Sequence, residues 1–133
     1  MTNAAVQACR DKIAAQIRAY RDLVGAASKA SGMSLVRIDA ALAAFEPAFF
    51  NNLLVALDAR FAARAVTAGP GAEVRLLAAS LLADGGVLHA RDDVPYDADE
   101  SVLRIDVGER IALNADDFEA LCAAFLAQIA PRP

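Results

Sequence analysis

The residues best suited to chemistry lie in or just after one apolar stretch, FEPAFFNNLLVALDARFAARAV at 45–66. Asn51 and Asp58 are seven residues apart, so a helix would hold them within about 20° of each other. A carboxylate on an apolar helix needs a cation beside it, because burial otherwise shifts its pKa toward the neutral form. The candidate cations are the arginines of this stretch and Arg75, which follows Glu73 closely. The candidate ligand-binding residues are therefore Asn51, Asp58, Glu73 and Arg75.

Two interpretations of these four residues remain open. They form an internal hydrogen-bond network that fixes the register of packed helices, or they line a polar pocket that serves an enzyme or a small-ligand binder. We expect the polar line through Asn51 and Asp58 to be sealed from solvent. Asn52 lies among alanines on another side of the helix, where we expect a close helix contact.

Other candidate chemistry has little support. His89 is the only histidine and has no HxH or HxxxH partner, so we predict no metal site and no cofactor. A Ser80–His89 pair would need the GxSxG elbow, which the chain lacks. The acidic loop DDVPYDADE lacks the central glycine and the spacing of a calcium-binding loop. We therefore lean toward a protein that is not an enzyme and has no catalytic residues.

The hydrophobic periodicity predicts about five helices to position these residues. The short second helix is expected to carry Ile38, Ala41, Leu42 and Phe45 inward, and Pro47 to begin the third, since proline suits a first helical turn. Asn114 is expected to cap the last helix, with Asp117 three residues on. The predicted helices cover about 3–30, 35–45, 47–66, 72–83 and 114–130.

The helix at 47–66 is expected to be buried at the centre of the fold. One face carries large apolar residues and the opposite face carries alanines and Asn52, with no charge. A surface helix normally shows charge on its outer face, and a helix that is apolar all round is normally buried. We therefore predict that the other helices surround this one.

A small β-hairpin is expected at about 101–113, before the C-terminal helix. Leu103, Ile105 and Val107 alternate with polar residues, which is the period of a half-buried strand. The predicted fold class is thus α+β and mostly helical, in a single domain over 1–133. The alternative is an all-α bundle that carries the hairpin as a surface flap.

Composition and charge narrow the possible partners. A chain of 133 residues with 33 alanines is long enough for one tightly packed helical domain. A net charge of −4 without a basic stripe disfavours nucleic acid. The start of the chain lacks the apolar core of a signal peptide, and Glu46 and Pro47 break the longest apolar tract, so we expect a cytoplasmic protein without membrane contact. Cys9 and Cys122 are expected to be small buried side chains.

Three stretches resemble the motifs of a family of small, uncharacterised bacterial proteins: EPAFFNNLLVALD, AEVRLLAASLLADGGVL and SVLRIDVGERIALNADDF. The resemblance covers about residues 36–130 and leaves out the first helix. It implies one domain and a bacterial, cytoplasmic setting, and it brings no activity, cofactor or catalytic residue. This chain has only TAGPG where the family has a longer loop, so a function carried by that loop is not implied here.

The leading functional hypothesis is a non-enzymatic helical module that self-associates, as a homodimer, and binds a protein or a small ligand. The long first helix and the high apolar content support it, because such a helix often packs against a partner subunit. The alternative is an enzyme or a small-ligand binder that uses the polar line on the helix at 47–66. A nucleic-acid-binding regulator is the third hypothesis.

Overall fold

The computed structural model describes residues 2–29 and 32–131, and within these ranges it contains four α-helices and no β-strand. A single 3-10 turn, Ala98–Glu100, lies between the last two helices. The predicted α+β class, with five helices and a β-hairpin, is therefore wrong, although the protein is mostly helical as expected. The helices are α1 (Asn3–Ala27), α2 (Gly32–Arg60), α3 (Pro70–Ala83) and α4 (Ala115–Ile129).

Helix α1 forms largely as its apolar spacing predicts. Thr2 caps it by accepting a hydrogen bond from the backbone N–H of Ala5, at 3.0 Å. Its buried residues lie at helical spacing along one stripe: Val6, Cys9, Ile17, Tyr20 and Ala27. The predicted end of this helix, Ala30, lies outside the described residues.

Helix α2 runs through Pro47, where the sequence predicts a boundary between two helices. Proline lacks the N–H that would bond the carbonyl of Ala43, four residues earlier. Ala43 is exposed, so water can take the place of that donor. The two predicted helices at 35–45 and 47–66 are therefore one, and it ends at Arg60 rather than at Val66.

The buried central helix is α3 and not the segment 47–66. Eight of its 14 residues are buried, and they point to every side of the helix: Gly71, Ala72, Glu73, Val74, Leu76, Leu77, Ala78 and Ser80. Segment 47–66 buries only the predicted large apolar face, which is Phe50, Leu54, Leu57 and Phe61. Its alanine face is exposed, including Ala48 and Asn52, so helices do not surround it.

Residues 84–114, here named the strap, link α3 to α4 and cover one side of α3. The strap contains isolated antiparallel bridges, Val87 with Arg110 and Arg91 with Val94, but no ladder between 103–107 and 111–113. Arg104 adopts a φ of 56°, which interrupts the extended backbone that the alternating pattern predicts. Ile111 instead donates its N–H to the carbonyl of Gly86 at 2.8 Å. Leu103 and Ile105 are half-buried while Val107 is exposed, so the alternating residues form no hairpin.

Helix α4 closes the core on the other side of α3. Asn114 accepts a hydrogen bond from the N–H of Asp117 at 2.7 Å, and Asp117 accepts one from the N–H of Asn114. This reciprocal pair confirms the predicted cap. The apolar stripe of α4 lies in the core, with Phe118, Leu121 and Phe125 each at most 1% exposed.

Candidate functional site

Asn51 lies on α2 and holds the end of the strap. Its side-chain amide donates to the carbonyl of Ile111 at 3.0 Å, and its side-chain oxygen accepts from the N–H of Leu113 at 3.1 Å. Ile111 and Leu113 are buried, so without Asn51 their backbone groups would have no water to bond. The amide thus does for this segment what a neighbouring strand would do in a sheet.

Asp58 is the centre of an ion-pair network at the C-terminal end of α2. Its Oδ1 lies 2.8 Å from a terminal nitrogen of Arg64 and 2.9 Å from Nε of Arg75. The Arg64 side chain is 3% exposed and also donates to the carbonyls of Phe61 and Gly71. The bond to Phe61 satisfies a carbonyl just past the end of α2, and the bond to Gly71 ties this end to the first turn of α3.

Glu73 is 2% exposed and lies on α3 under the strap. Its two carboxylate oxygens accept hydrogen bonds from the N–H groups of Val102 and Leu103, at 2.8 and 3.0 Å. Burial raises the pKa of Glu73, and the two N–H donors offset part of that rise. Glu73 therefore positions the middle of the strap as Asn51 positions its end.

The four candidate residues do not converge on one cavity. Asp58 and Arg75 bond each other, while Asn51 and Glu73 each hold a separate part of the strap. Of the four, only Glu73 lines a cleft beside the strap, which has a volume of about 580 Å³. The other residues that line this cleft are Ala68, Gly69, Pro95, Tyr96, Asp97, Glu100 and Ser101. With three carboxylates and no cation in its lining, the cleft would favour a positively charged ligand.

From the sequence alone, two side chains that hold the fold together were missed. Their hydrogen-bond partners are backbone atoms far away in the sequence. Glu46 accepts a hydrogen bond from the N–H of Ala115 at 3.2 Å. Gln128 bonds the N–H of Gly71 and the carbonyl of Ala68, and this bridge ties the end of α4 to the start of α3. No local motif marks either side chain. The absent Cβ at Gly71 is a weak signal, since an added Cβ would lie 3.0 Å from Gln128 Oε1.

The described serine, histidine and cysteine side chains considered as nucleophiles or metal ligands do not form a catalytic or metal-binding arrangement. The hydroxyl of Ser80 is buried and accepts a hydrogen bond from the backbone N–H of His89. Cys9 and Cys122 are buried as predicted, and burial raises the pKa of both thiols. Within residues 2–29 and 32–131, no three His, Cys, Asp or Glu side chains come close enough to hold a metal ion.

An apolar groove lies between α1 and α2, at the end of the helix pair away from the core. We name it the α1–α2 groove; it has a volume of about 380 Å³ and is lined by Leu23, Ile38, Ala41, Leu42 and Phe45. Leu23 is 50% exposed and Phe45 is 44% exposed. The prediction that the four α2 residues point into the core is therefore wrong. No described side chain between residues 32 and 49 is buried.

The exposure of α2 is unusual for so apolar a helix. Its segment Ser34–Arg60 has a mean hydropathy of 1.5 in its most apolar window, of which 17% is buried. By length and composition alone, this segment could cross a membrane. From the sequence alone, no membrane contact is expected, because Glu46 and Pro47 interrupt this apolar tract. Glu46 and Asn51, however, bond backbone groups of the rest of the domain, so this helix is part of the folded core.

Comparison with known proteins adds no further evidence on the role of either the cleft or the groove. We found no protein-family model, curated protein or solved structure that matches this chain.

Proposed function

We propose that this protein is a non-enzymatic helical module that acts by protein–protein contact through the α1–α2 groove. The observation that carries the proposal is the exposure of large apolar side chains around a groove whose lining has no charge. Contiguous exposed apolar surface of this kind marks interaction sites in folded proteins.

The apolar side chains at the groove would contribute binding energy to docking. Phe45 is 44% exposed, which for a phenylalanine leaves about 80 Å² of apolar surface in water. Covering that surface is worth about 2 kcal/mol at 25 cal/mol per Å². Leu23 adds a contribution of similar size, because half of its side chain is exposed. Large anchors beside a groove are the usual source of binding energy at protein interfaces.

The hydrogen bonds and ion pairs of the candidate polar residues also support a non-enzymatic role. A catalytic acid or base must reach a reacting atom, and nucleophiles need an adjacent base. Asn51, Asp58 and Glu73 are instead bonded to backbone groups or to arginines. Their arrangement serves the fold.

Protection of the groove inside cells tests the proposal. A cysteine placed at the exposed position 41 (Ala41→Cys) can be labelled with a maleimide, while Cys9 and Cys122 are buried and react poorly. A docked partner covers the groove, so we expect slow labelling of this cysteine in intact cells and fast labelling in the diluted, purified protein.

Leu82→Cys is the matched control, because Leu82 is 73% exposed on α3 and lies outside the groove. This second cysteine is expected to react at the same rate in cells and after purification. Equal rates for positions 41 and 82 in cells would show that the groove is uncovered and would overturn the proposed function.

A further inference from the structure

We propose that the occupant of the α1–α2 groove is a second copy of this chain, related by a twofold axis that passes close to Ala41. This inference rests on the proposed function and names the partner. In such a dimer, each copy presents the same surface, so Phe45 of one copy enters the groove of the other and the reverse holds. The two α1–α2 pairs then form a four-helix layer.

The surface around the groove is continuous along both helices, and the side chains that line the groove are uncharged. On α1, Gln16 is seven residues from Leu23, which places both within about 20° on one side of the helix. On α2, Ala48 and Asn52 continue the line of Ala41 at helical spacing, and all three are exposed. Two copies of this surface can meet without opposing like charges at the centre, which is a requirement for a twofold contact.

Charge farther along the same surface fixes the position of the axis. A second groove on this side is lined by Lys12 and Arg60, and both cations are exposed. Arg37 is exposed one turn from Ala41. In a shifted dimer, the Lys12 end of one copy would lie over the α1–α2 groove of the other. That arrangement would bring Lys12 and Arg60 of one copy close to Arg37 of the other, and the repulsion between these cations is unfavourable. An axis near Ala41 leaves Lys12 and Arg60 outside the contact, and it places the two Arg37 side chains on opposite sides of the axis.

The area of the contact matches a small, weak dimer. The α2 segment 32–49, which has no described buried side chain, is about 27 Å long at 1.5 Å per residue. Two packed helices are about 20 Å wide, so the contact covers about 540 Å² on each copy. The total of about 1,100 Å² lies just above the roughly 1,000 Å² expected of a biological interface and below the roughly 1,200 Å² at which stable interfaces begin. The dimer is thus expected to depend on concentration.

A lipid surface fits the same groove less well. Helices that lie on membranes carry lysine and arginine on their polar face, and anionic headgroups attract basic proteins. This chain has a net charge of −4. The lining of the groove contains no cation.

Light scattering on the purified chain of 133 residues tests the dimer. The mass is expected to rise with concentration from 13.9 kDa toward about twice that value. Ala41→Glu places two like charges next to the axis, and we expect it to weaken dimerisation by at least about tenfold. Ala123→Glu is the matched control, since it puts the same change on an exposed position of α4. It should dimerise like the unchanged chain. Circular dichroism is expected to show that both variants fold.

A charge-swap experiment identifies the twofold relation. Ala41→Glu and Ala41→Lys are each expected to be monomeric, and an equimolar mixture of the two is expected to recover the dimer mass. Several results would overturn the inference: a mass of 13.9 kDa at every concentration, no recovery on mixing, or a monomer that binds vesicles of anionic phospholipid. A purified monomer whose position 41 is nevertheless protected in cells would overturn the dimer and leave the proposed function standing.

Discussion

Asn51 and Asn52 are adjacent on α2, but only Asn51 bonds buried backbone groups. Replacing Asn51 by alanine leaves the carbonyl of Ile111 and the N–H of Leu113 without partners in the core. Each unsatisfied buried group costs about 1–3 kcal/mol, so we expect Asn51→Ala to lower the free energy of unfolding by about 2–4 kcal/mol. Urea denaturation followed by circular dichroism measures this loss.

Asn52→Ala is the matched control for that experiment. Asn52 is exposed, and alanine is the better helix former, so the free energy of unfolding should change by no more than about 0.5 kcal/mol. Similar losses for the two variants would show that the bonds from Asn51 to the strap contribute little to stability.

Glu73 gives the stability a pH dependence of known sign. Burial raises its pKa in the folded state above the ordinary value of 4.5, so the folded protein binds this proton more tightly than the unfolded chain. The contribution of Glu73 to stability is therefore largest below the unfolded pKa and is lost as the pH rises through the folded pKa. We expect the unfolding free energy of the unchanged chain, relative to Glu73→Gln, to increase from pH 7 to pH 5.

Urea denaturation of both proteins at each pH gives this difference. Other carboxylates titrate in both proteins and cancel in the comparison. A difference that stays constant between pH 7 and pH 5, or that changes in the opposite direction, would contradict the raised pKa of Glu73.

At the scale of elements, Pro47 distinguishes one long α2 from two shorter helices. A proline inside a helix removes one backbone bond and costs about 3 kcal/mol relative to alanine. Pro47→Ala should restore the bond to the carbonyl of Ala43 and raise the free energy of unfolding by about 1–3 kcal/mol. Thermal and urea denaturation measure the gain. No gain, or a loss, would favour the helix boundary that the sequence suggests at this position.

Elements with local signals were predictable from the sequence. The capping pair of Asn114 and Asp117 spans three residues, and the stripe of α4 repeats at helical spacing, so both are visible without tertiary contacts. The same holds for the face of α2 that carries Phe50 and Leu54. The outward direction of Phe45 was not visible, because periodicity shows that a face is apolar but not what covers it.

The central helix and the strap were missed for a different reason. Glu73 and Arg75 make α3 look like a surface helix, since charged residues are rarely buried unless paired. The partners of Glu73 are Val102 and Leu103, which lie 29 and 30 residues away in the sequence. The strap likewise has the alternating apolar and polar residues of a β-strand. Its backbone, however, bonds side chains such as Glu73 and not a neighbouring strand. Long-range bonds between a side chain and the backbone leave no local pattern.

At the scale of the whole molecule, α3 lies between α2, α4 and the strap, so the strap belongs to the core. Leu88, Ile111 and Leu113 of the strap are each at most 2% exposed. Opening the strap would expose these side chains and the carboxylate of Glu73 together. We infer that the strap does not detach before the helices unfold.

The two tyrosines report on opposite parts of the molecule and test this cooperativity. Tyr20 packs against Phe50 between α1 and α2, with ring centroids 5.0 Å apart, while Tyr96 lies in the strap and donates to the carbonyl of Ile105. The chain has no tryptophan, so Tyr20→Phe leaves Tyr96 as the reporter of the strap. We expect its fluorescence to change at the same urea concentration as the helical circular dichroism signal, because the strap and the helices share one core. Tyr96→Phe provides the reciprocal comparison with Tyr20. A strap transition at lower urea than the loss of helix would show that residues 84–114 unfold as a separate unit, and would contradict the single cooperative core.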